Sequence, residues 1–282
     1  MNDIKSYLCE NENKLQYNIE ELNSKEINQY YQNAKADAIH CYQFLKEYLH
    51  KDKKILEVGG GIHLLTSFLN QEYDVTSVEP GGFTDYTNEL RNKILSKNNF
   101  KVHTTTLENF NTDERFDLIF SMNVLEHINH IEQHIKSCIN LLKDEKSILF
   151  IQCPNYTFPF EPHFYKWFIP FFPKFTFQIL KKKSLIKEFG KKNYENIFNN
   201  LNFDCTYFNI KKLNLPITFI NPLKNIFDRL DSDSIFRKRI FKNKIVCIFY
   251  KIIKFFKIQR LFILLFPKCL IPYLIMEIKK NV

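Results

Sequence analysis

Glycine is scarce. The 282-residue chain has only 6, and five of them fall in two clusters, Gly59-Gly60-Gly61 and Gly81-Gly82. A chain this poor in glycine keeps it where the backbone takes turns that other residues resist, so the clusters mark two places where conformation matters. Cysteine is present but unpatterned. The seven (Cys9, Cys41, Cys138, Cys153, Cys205, Cys247, Cys269) are odd in number and never spaced C-x-x-C. That spacing excludes a disulfide framework and a cysteine zinc site, and it fits a reducing compartment. The opening stretch MNDIKSYLCENENK lacks the apolar core of a secretory signal, so the expected location is cytoplasmic. Tryptophan occurs once, whereas Phe (29) and Tyr (14) are plentiful. With 45% hydrophobic and 25% charged residues, disorder throughout is excluded. The length fits one large α/β domain with an appendage, or two small domains.

Acid is nearly absent from one end. From Arg237 to Val282 the chain carries 12 Lys/Arg against a single acid, Glu277, whereas the first 236 residues are slightly acidic, with 28 Lys/Arg against 30 Asp/Glu. The overall charge of +9 therefore belongs to the tail. A nucleic-acid-binding protein would spread its basic footprint over the folded face, so nucleic acid is not the expected partner. Asymmetry of this kind points to an anionic surface met by one end.

The body alternates strands with helices. Residues 1–34 form a polar helical lead-in with weak periodicity around Ile19, Leu22 and Ile27, followed by a helix with Ala38, Tyr42, Leu45 and Leu49 on one stripe. Strands are expected at Lys53–Val58, Val75–Val78, Phe116–Ser121 and Ser147–Gln152. Helices are expected after the first glycine cluster (Leu64, Leu65, Phe68, Leu69) and at 131–142. Such alternation means βαβ units and a mostly parallel sheet. After Cys153-Pro154-Asn155 the texture changes: residues 156–177 hold four Pro, the sole Trp and a dense run of Phe. Prolines at that density forbid a long helix, leaving an aromatic loop over the sheet or a substrate-facing insertion.

The chemistry concentrates at the strand–Gly59-Gly60-Gly61–helix turn. Glu79 follows 20 residues after Gly59 at the end of the next strand, where an acid in a doubly wound fold reaches ribose hydroxyls. The run Gly59-Gly60-Gly61-Ile62-His63-Leu64 lacks the third glycine of a dinucleotide fingerprint, and Glu57 precedes it. A carboxylate there would repel a pyrophosphate and attract a cation. S-adenosylmethionine, with its sulfonium, its ammonium and no phosphate, suits this loop better than NAD(P). An NAD(P)-dependent oxidoreductase is the alternative enzyme, and a non-catalytic membrane-associated scaffold on the same fold is the alternative outside enzymes. His130 and His134 have i, i+4 spacing, but Glu132 is one position late for an H-E-x-x-H zinc site, so no metal is expected and this helix face is read as solvated.

The segments ILEVGGG, VTSVEP, FDLIFSMNVLEHI and the Pro154-Asn155 pair resemble, in that order, the class I S-adenosylmethionine-dependent methyltransferases. They look most like the branch with L-E-H and P-N motifs that includes quinone-biosynthesis and glycan-cluster enzymes. The resemblance covers roughly residues 35–210. Glu57, Gly59 and Gly61 match the family's first motif, and His63 stands where its last glycine would be. It implies a Rossmann-like, seven-stranded, mostly parallel sheet with helices on both faces. It also implies that Glu57, Gly59, Gly60 and Gly61 hold the methionine part, Glu79 the ribose and Leu107 the adenine, with Ser121, Met122 and Asn123 closing the site beside the sulfonium. For a hydroxyl acceptor the nominated bases are His127 and His163. The acceptor is expected to be a small molecule, a glycan or a lipid-linked compound.

Phe203–Leu213 is read as supplying the last strands of the methyltransferase domain (35–213, with the aromatic insertion at 156–195). Residues 214–282 are read as a basic, apolar helical appendage. Within it Lys251, Lys254, Lys257 and Arg260 recur every third position, which winds around a helix rather than marking one face. A spanning helix needs about 20 largely uncharged residues, and Leu261–Met276 is broken by Pro267, Lys268 and Pro272. The tail is therefore expected to lie at an anionic membrane surface, with residues 237–282 peripheral on it, the alternative being a helical pair packed on the core or on a second subunit.

Overall fold

A computed structural model describes residues 3–19, 25–81, 85–164, 166–232, 237, 241 and 244–280. Gly82, Leu22 and most of 233–243 lie outside the described residues. The chain divides into two compact units, one formed by Met1–Ile151 with Glu277–Val282 and the other by Gln152–Met276.

The first unit opens with helices α1 (Ile4–Ile19) and α2 (Lys25–Leu45). The lead-in is polar on average, yet Ile4, Leu8, Ile27 and Tyr31 are buried. Then come β1 (Lys54–Val58), α3 (Leu64–Leu69), β2 (Asp74–Val78), α4 (Asp85–Lys97), β3 (Lys101–His103), β4 (Leu118–Met122), α5 (Ile131–Leu141) and β5 (Ile148–Pro154), whose residues from Gln152 on are counted with the second unit. Apart from their first residues, β1 and β2 are buried along their whole length, as befits parallel strands covered on both faces. Helix α3 is too short to be stable alone and is held by burial of all six of its residues, with the rings of Tyr7 (tilted) and Tyr42 (edge-on) packed 5.4 and 5.1 Å from Phe68.

Register builds the functional edge. β1 pairs in parallel with β2 (Val58 opposite Val78) and with β4 (Val58 opposite Ser121), and β2 with β3 (Val78 opposite His103). The three strands β1, β2 and β4 therefore run level, and the residues just past those partners (Gly59, Glu79, Met122) emerge at one edge. In open α/β sheets that edge is where ligands bind.

The second unit holds a short hairpin, β6 (Phe160–Glu161) with β7 (Lys166–Trp167), and the helices Lys182–Phe189, Lys191–Asn199 and Tyr207–Lys212. After strand β8 (Ile217–Ile220) come the helices Leu223–Ser232, Lys244–Phe255 and Gln259–Leu265. Its interior is aromatic: the ring of Phe164 lies 5.4 Å from Phe177 and 5.9 Å from Tyr194, and Phe177 stacks on Phe203 at 6.0 Å. Buried Asn155 ties this unit together. Its side-chain N–H groups donate to the carbonyls of Cys269 (2.9 Å) and Ile271 (2.7 Å), and its Oδ1 accepts from the backbone N–H groups of Thr157 and Tyr207, both at 3.0 Å.

The complete sheet has seven strands in the order β3-β2-β1-β4-β5-β9-β8, where β9 is Tyr273–Lys279. Two sequence expectations change here. Residues 203–213 do not supply the last strands: Thr206 accepts a hydrogen bond from the Asn209 backbone N–H at 3.1 Å, and this N-cap starts the helix Tyr207–Lys212 instead. The remaining strands are β8 and β9, so the C-terminal region contributes to the sheet as well as carrying helices. In the first unit Glu277 of β9 accepts a hydrogen bond from the Tyr48 hydroxyl at 3.0 Å. Among the described residues, no helix is long and apolar enough to cross a membrane.

Candidate active site at the glycine-rich turn

The turn after β1 owes its shape to two left-handed glycines, Gly59 (φ 81°) and Gly61 (φ 56°). A Cβ on Gly59 would lie 2.1 Å from the side chain of Val124. Gly60 is hemmed in from below: a Cβ there would meet His63 Nδ1 at 2.4 Å, Ser77 Oγ at 2.5 Å and Glu57 Oε2 at 2.8 Å. Gly61 is the opposite case, with open space where its side chain would be. The loop therefore has a crowded polar underside and a clear upper side.

His63, in the place of the third glycine, adopts the glycine-like left-handed conformation (φ 61°) and caps α3. Its ring is fully buried. Nδ1 meets Ser77 Oγ at 3.2 Å and Nε2 accepts from Arg91 Nε at 3.1 Å. Burial and the adjacent guanidinium lower its pKa to about 3, so this imidazole is neutral at any physiological pH and serves as a fixed acceptor. Arg91 also donates to the carbonyl of Glu79 (3.3 Å) and to Thr104 Oγ1 (3.1 Å), joining the end of β2 to the segment after β3.

Two carboxylates complete the network. Glu79 Oε2 accepts from the Gly61 N–H at 2.8 Å and Oε1 from the Gly81 N–H at 3.0 Å, so one acid fixes both glycine clusters. Desolvation raises its pKa, opposed by those two amides and by Arg91. Buried Glu57 accepts from the hydroxyls of Thr66 and, at 3.4 Å, Ser77. Desolvation and the charge of Glu79 push its pKa up to about 8, against the Ser77 bond. A cationic ligand would favour the ionised forms of both acids, whereas a pyrophosphate would be repelled.

Ser121, Met122 and Asn123 follow at the end of β4. Ser121 Oγ and Asn123 Oδ1 are buried without a hydrogen-bond partner among the described residues, and Asn123 takes a left-handed φ of 56°. Orphaned polar atoms beside a glycine loop with an open upper side, next to two acids, fit a ligand that is both hydrogen-bonding and cationic. Leu107 is buried at the start of a single helical turn, Leu107–Asn109, and His127 ends another, Leu125–His127. The first unit thus contains every sequence-predicted site residue but one. His134, read from sequence as part of a solvated face, is buried instead, with Nδ1 2.9 Å from Glu108.

The exception, His163, belongs to the second unit. Its Nδ1 lies 2.6 Å from Oε1 of Glu161, a fully buried carboxylate that also accepts from the Tyr156 hydroxyl (3.2 Å) and from the Phe164 N–H through Oε2. Sequence reasoning passed over Glu161, although the Glu-Pro-His run held the signal. It also passed over Ser77, Thr66 and Arg91, for which no sequence pattern offers one.

Over residues 27–207 the chain matches the profile of a family described as Methyltransferase domain. Two uncharacterized proteins of Mycobacterium tuberculosis, from strains H37Rv and CDC 1551, are each 35% identical to it over 134 residues, 43% of this chain and 45% of theirs. The chain thus spans about half the length of the curated relatives it matches. Among solved structures, it is similar to an S-adenosylmethionine-dependent methyltransferase from Clostridium acetobutylicum (20% identity, TM-score 0.36, 44% of this chain and 52% of that one). It is also similar to the glycopeptide N-methyltransferase MtfA in complex with S-adenosylmethionine (15% identity, TM-score 0.36, 42% and 55%). The family profile covers well over half of the sequence and falls on the strands that build the glycine-rich turn, so the chain belongs to the methyltransferase-domain family, the class I S-adenosylmethionine-dependent methyltransferases.

Proposed function

We propose that this protein transfers a methyl group from S-adenosylmethionine to an oxygen of an acceptor met at an anionic membrane surface, a small molecule, glycan or lipid-linked compound. The observation that carries the cofactor half is the loop with Gly61 open above it and its N–H fixed by Glu79. When bound, S-adenosylmethionine supplies a methyl carbon already activated by the neighbouring sulfonium. Gly59, Gly60 and Gly61 leave room for the methionine part, and Glu57 provides negative charge near its cationic end. Glu79 keeps lone pairs for the ribose hydroxyls beyond those it gives to the two amides. Leu107 offers an apolar contact to adenine, and Ser121, Met122 and Asn123 close the site.

The remaining work is to align the acceptor and remove its proton, with positioning worth several kcal/mol. His163 is the stronger candidate base, because buried Glu161 at 2.6 Å orients its ring and would stabilise the imidazolium formed on taking the hydroxyl proton. His127 is the second candidate. Support for the membrane comes from the basic tail: Lys251, Lys254, Lys257 and Arg260 stand among Phe255, Phe256 and Leu264, which are 80%, 63% and 79% exposed. Methyl-labelled donor should be incorporated when the protein is given a membrane lipid extract, and His163→Ala should lower turnover about 100-fold with donor affinity little changed. Near-normal turnover in both His163→Ala and His127→Ala would remove the base from this mechanism and favour a nitrogen acceptor.

A further inference from the structure

The segment around residues 164–180 sorts its apolar side chains into two sets. Phe164, Phe168 and Phe177 are buried in the aromatic interior of the second unit and anchor the segment. Trp167, Ile169, Phe171, Phe172, Phe175 and Ile179 are 42%, 44%, 80%, 60%, 49% and 66% exposed. The exposed set does not sit on a loose loop. Buried Thr176 accepts from the Ile169 N–H at 3.0 Å and donates to the Phe172 carbonyl at 2.8 Å, while the Phe172 N–H donates to the Ile169 carbonyl at 2.9 Å. This turn holds Phe171 at a φ of 68°, a left-handed conformation that aromatic residues resist. Charge is equally sorted. Residues 166–183 contain Lys166, Lys174, Lys181, Lys182 and Lys183 and no acid. Lys166 pairs with Glu188 at 2.8 Å, whereas Lys174, Lys182 and Lys183 are exposed and, among the described residues, in no ion pair.

A rigid tip of bare aromatic rings rimmed by unpaired lysines complements a surface that is anionic outside and apolar just beneath. We propose that this tip inserts into the interface of an anionic bilayer, with Phe171 and Phe172 among the acyl chains, Trp167 at headgroup level, and Lys174, Lys182 and Lys183 on the headgroups. The proline-broken segment is too short to span, so it lies in one leaflet. The inference rests on the reading that the protein works at an anionic membrane, and adds a contact separate from the basic tail.

Trp167 is the sole tryptophan, so its fluorescence reports on this tip and not on the tail. Full-length protein should sediment with vesicles of phosphatidylglycerol and phosphatidylcholine. Its emission should shift to the blue and be quenched by lipids brominated along the acyl chain. Phe171→Ser/Phe172→Ser should weaken vesicle partitioning at least tenfold, and Lys182→Glu/Lys183→Glu should weaken it on anionic vesicles only. Sedimentation with unchanged Trp167 emission would overturn the tip while leaving the tail reading intact; no sedimentation at all would overturn both. Vesicle binding unaffected in both double variants, each with wild-type circular dichroism, would also overturn it. So would a dimer dissolved by the phenylalanine variant without any vesicle binding, which would make the face a self-association surface.

Discussion

The two units solve opposite problems. The first buries ionisable groups: Glu57, Glu79, His63 and Arg91 all lie beneath the glycine-rich turn, each with partners. The second exposes apolar side chains, with Phe171, Phe255 and Leu264 about four-fifths exposed. Buried polar groups cost stability unless every partner is in place, and exposed apolar side chains cost solubility. Neither arrangement helps a protein merely to fold. A shape imposed on a backbone loop justifies the first, and a surface that receives apolar groups justifies the second.

The sharpest way to break this contrast is to disturb the first unit where it has no room. Gly60→Val should destabilise the fold by about 3 kcal/mol in denaturant titration and abolish cofactor binding by calorimetry, because overpacking against His63, Ser77 and Glu57 displaces the whole network. Phe255→Ser in the second unit, by contrast, should change stability by no more than about 0.5 kcal/mol. Next in size, Glu79→Ala removes a charged acceptor from both glycine clusters. S-adenosylmethionine affinity should fall roughly tenfold or more, corresponding to about 1.5–3 kcal/mol for hydrogen bonds to a charged group. Unchanged binding in a folded variant would mean that the acid serves the loop alone.

His63→Ala should cost about 1–3 kcal/mol, since it strands the Arg91 Nε–H that the imidazole accepts. A double-mutant cycle with Arg91→Met should give a coupling of at least about 0.5 kcal/mol; strict additivity would show that the two residues act separately. The smallest effect concerns protons. Glu57, with its pKa raised to about 8, is mostly protonated at pH 7 without ligand, and a cation beside it lowers that value. Binding should therefore release up to about one proton, and affinity should rise with pH until about 8 and then level off. Calorimetry in buffers of different ionisation enthalpy measures this release, and Glu57→Gln should abolish it.

Much of the first unit was legible in the sequence because its strands are short apolar runs bounded by turn residues, and because six glycines in 282 residues leave few places for a special backbone. The fate of His63 was not legible. Spacing shows that a glycine is missing, but only three-dimensional proximity shows Ser77 and Arg91 waiting on either side of the ring that replaces it. Strand β9 was hidden for another reason. Its centre, Leu274–Met276, is a buried apolar run without alternation, and beside the apolar helices that precede it such a run reads as more helix. Residues 203–213 erred the other way: their β-prone composition yields to the hydrogen bond from the Asn209 N–H to Thr206.

The position of β9 has a consequence for how the chain comes off the ribosome. In the sheet it is the neighbour of β5, yet in the sequence the whole of residues 155–272 is threaded between them. β5 must therefore wait, with one edge unpaired, while an entire aromatic unit is synthesised. Pairing this remote closes slowly, and an open apolar edge is a template for pairing with other chains. Recombinant yield should accordingly depend on translation speed and temperature more than on the stability of the finished fold.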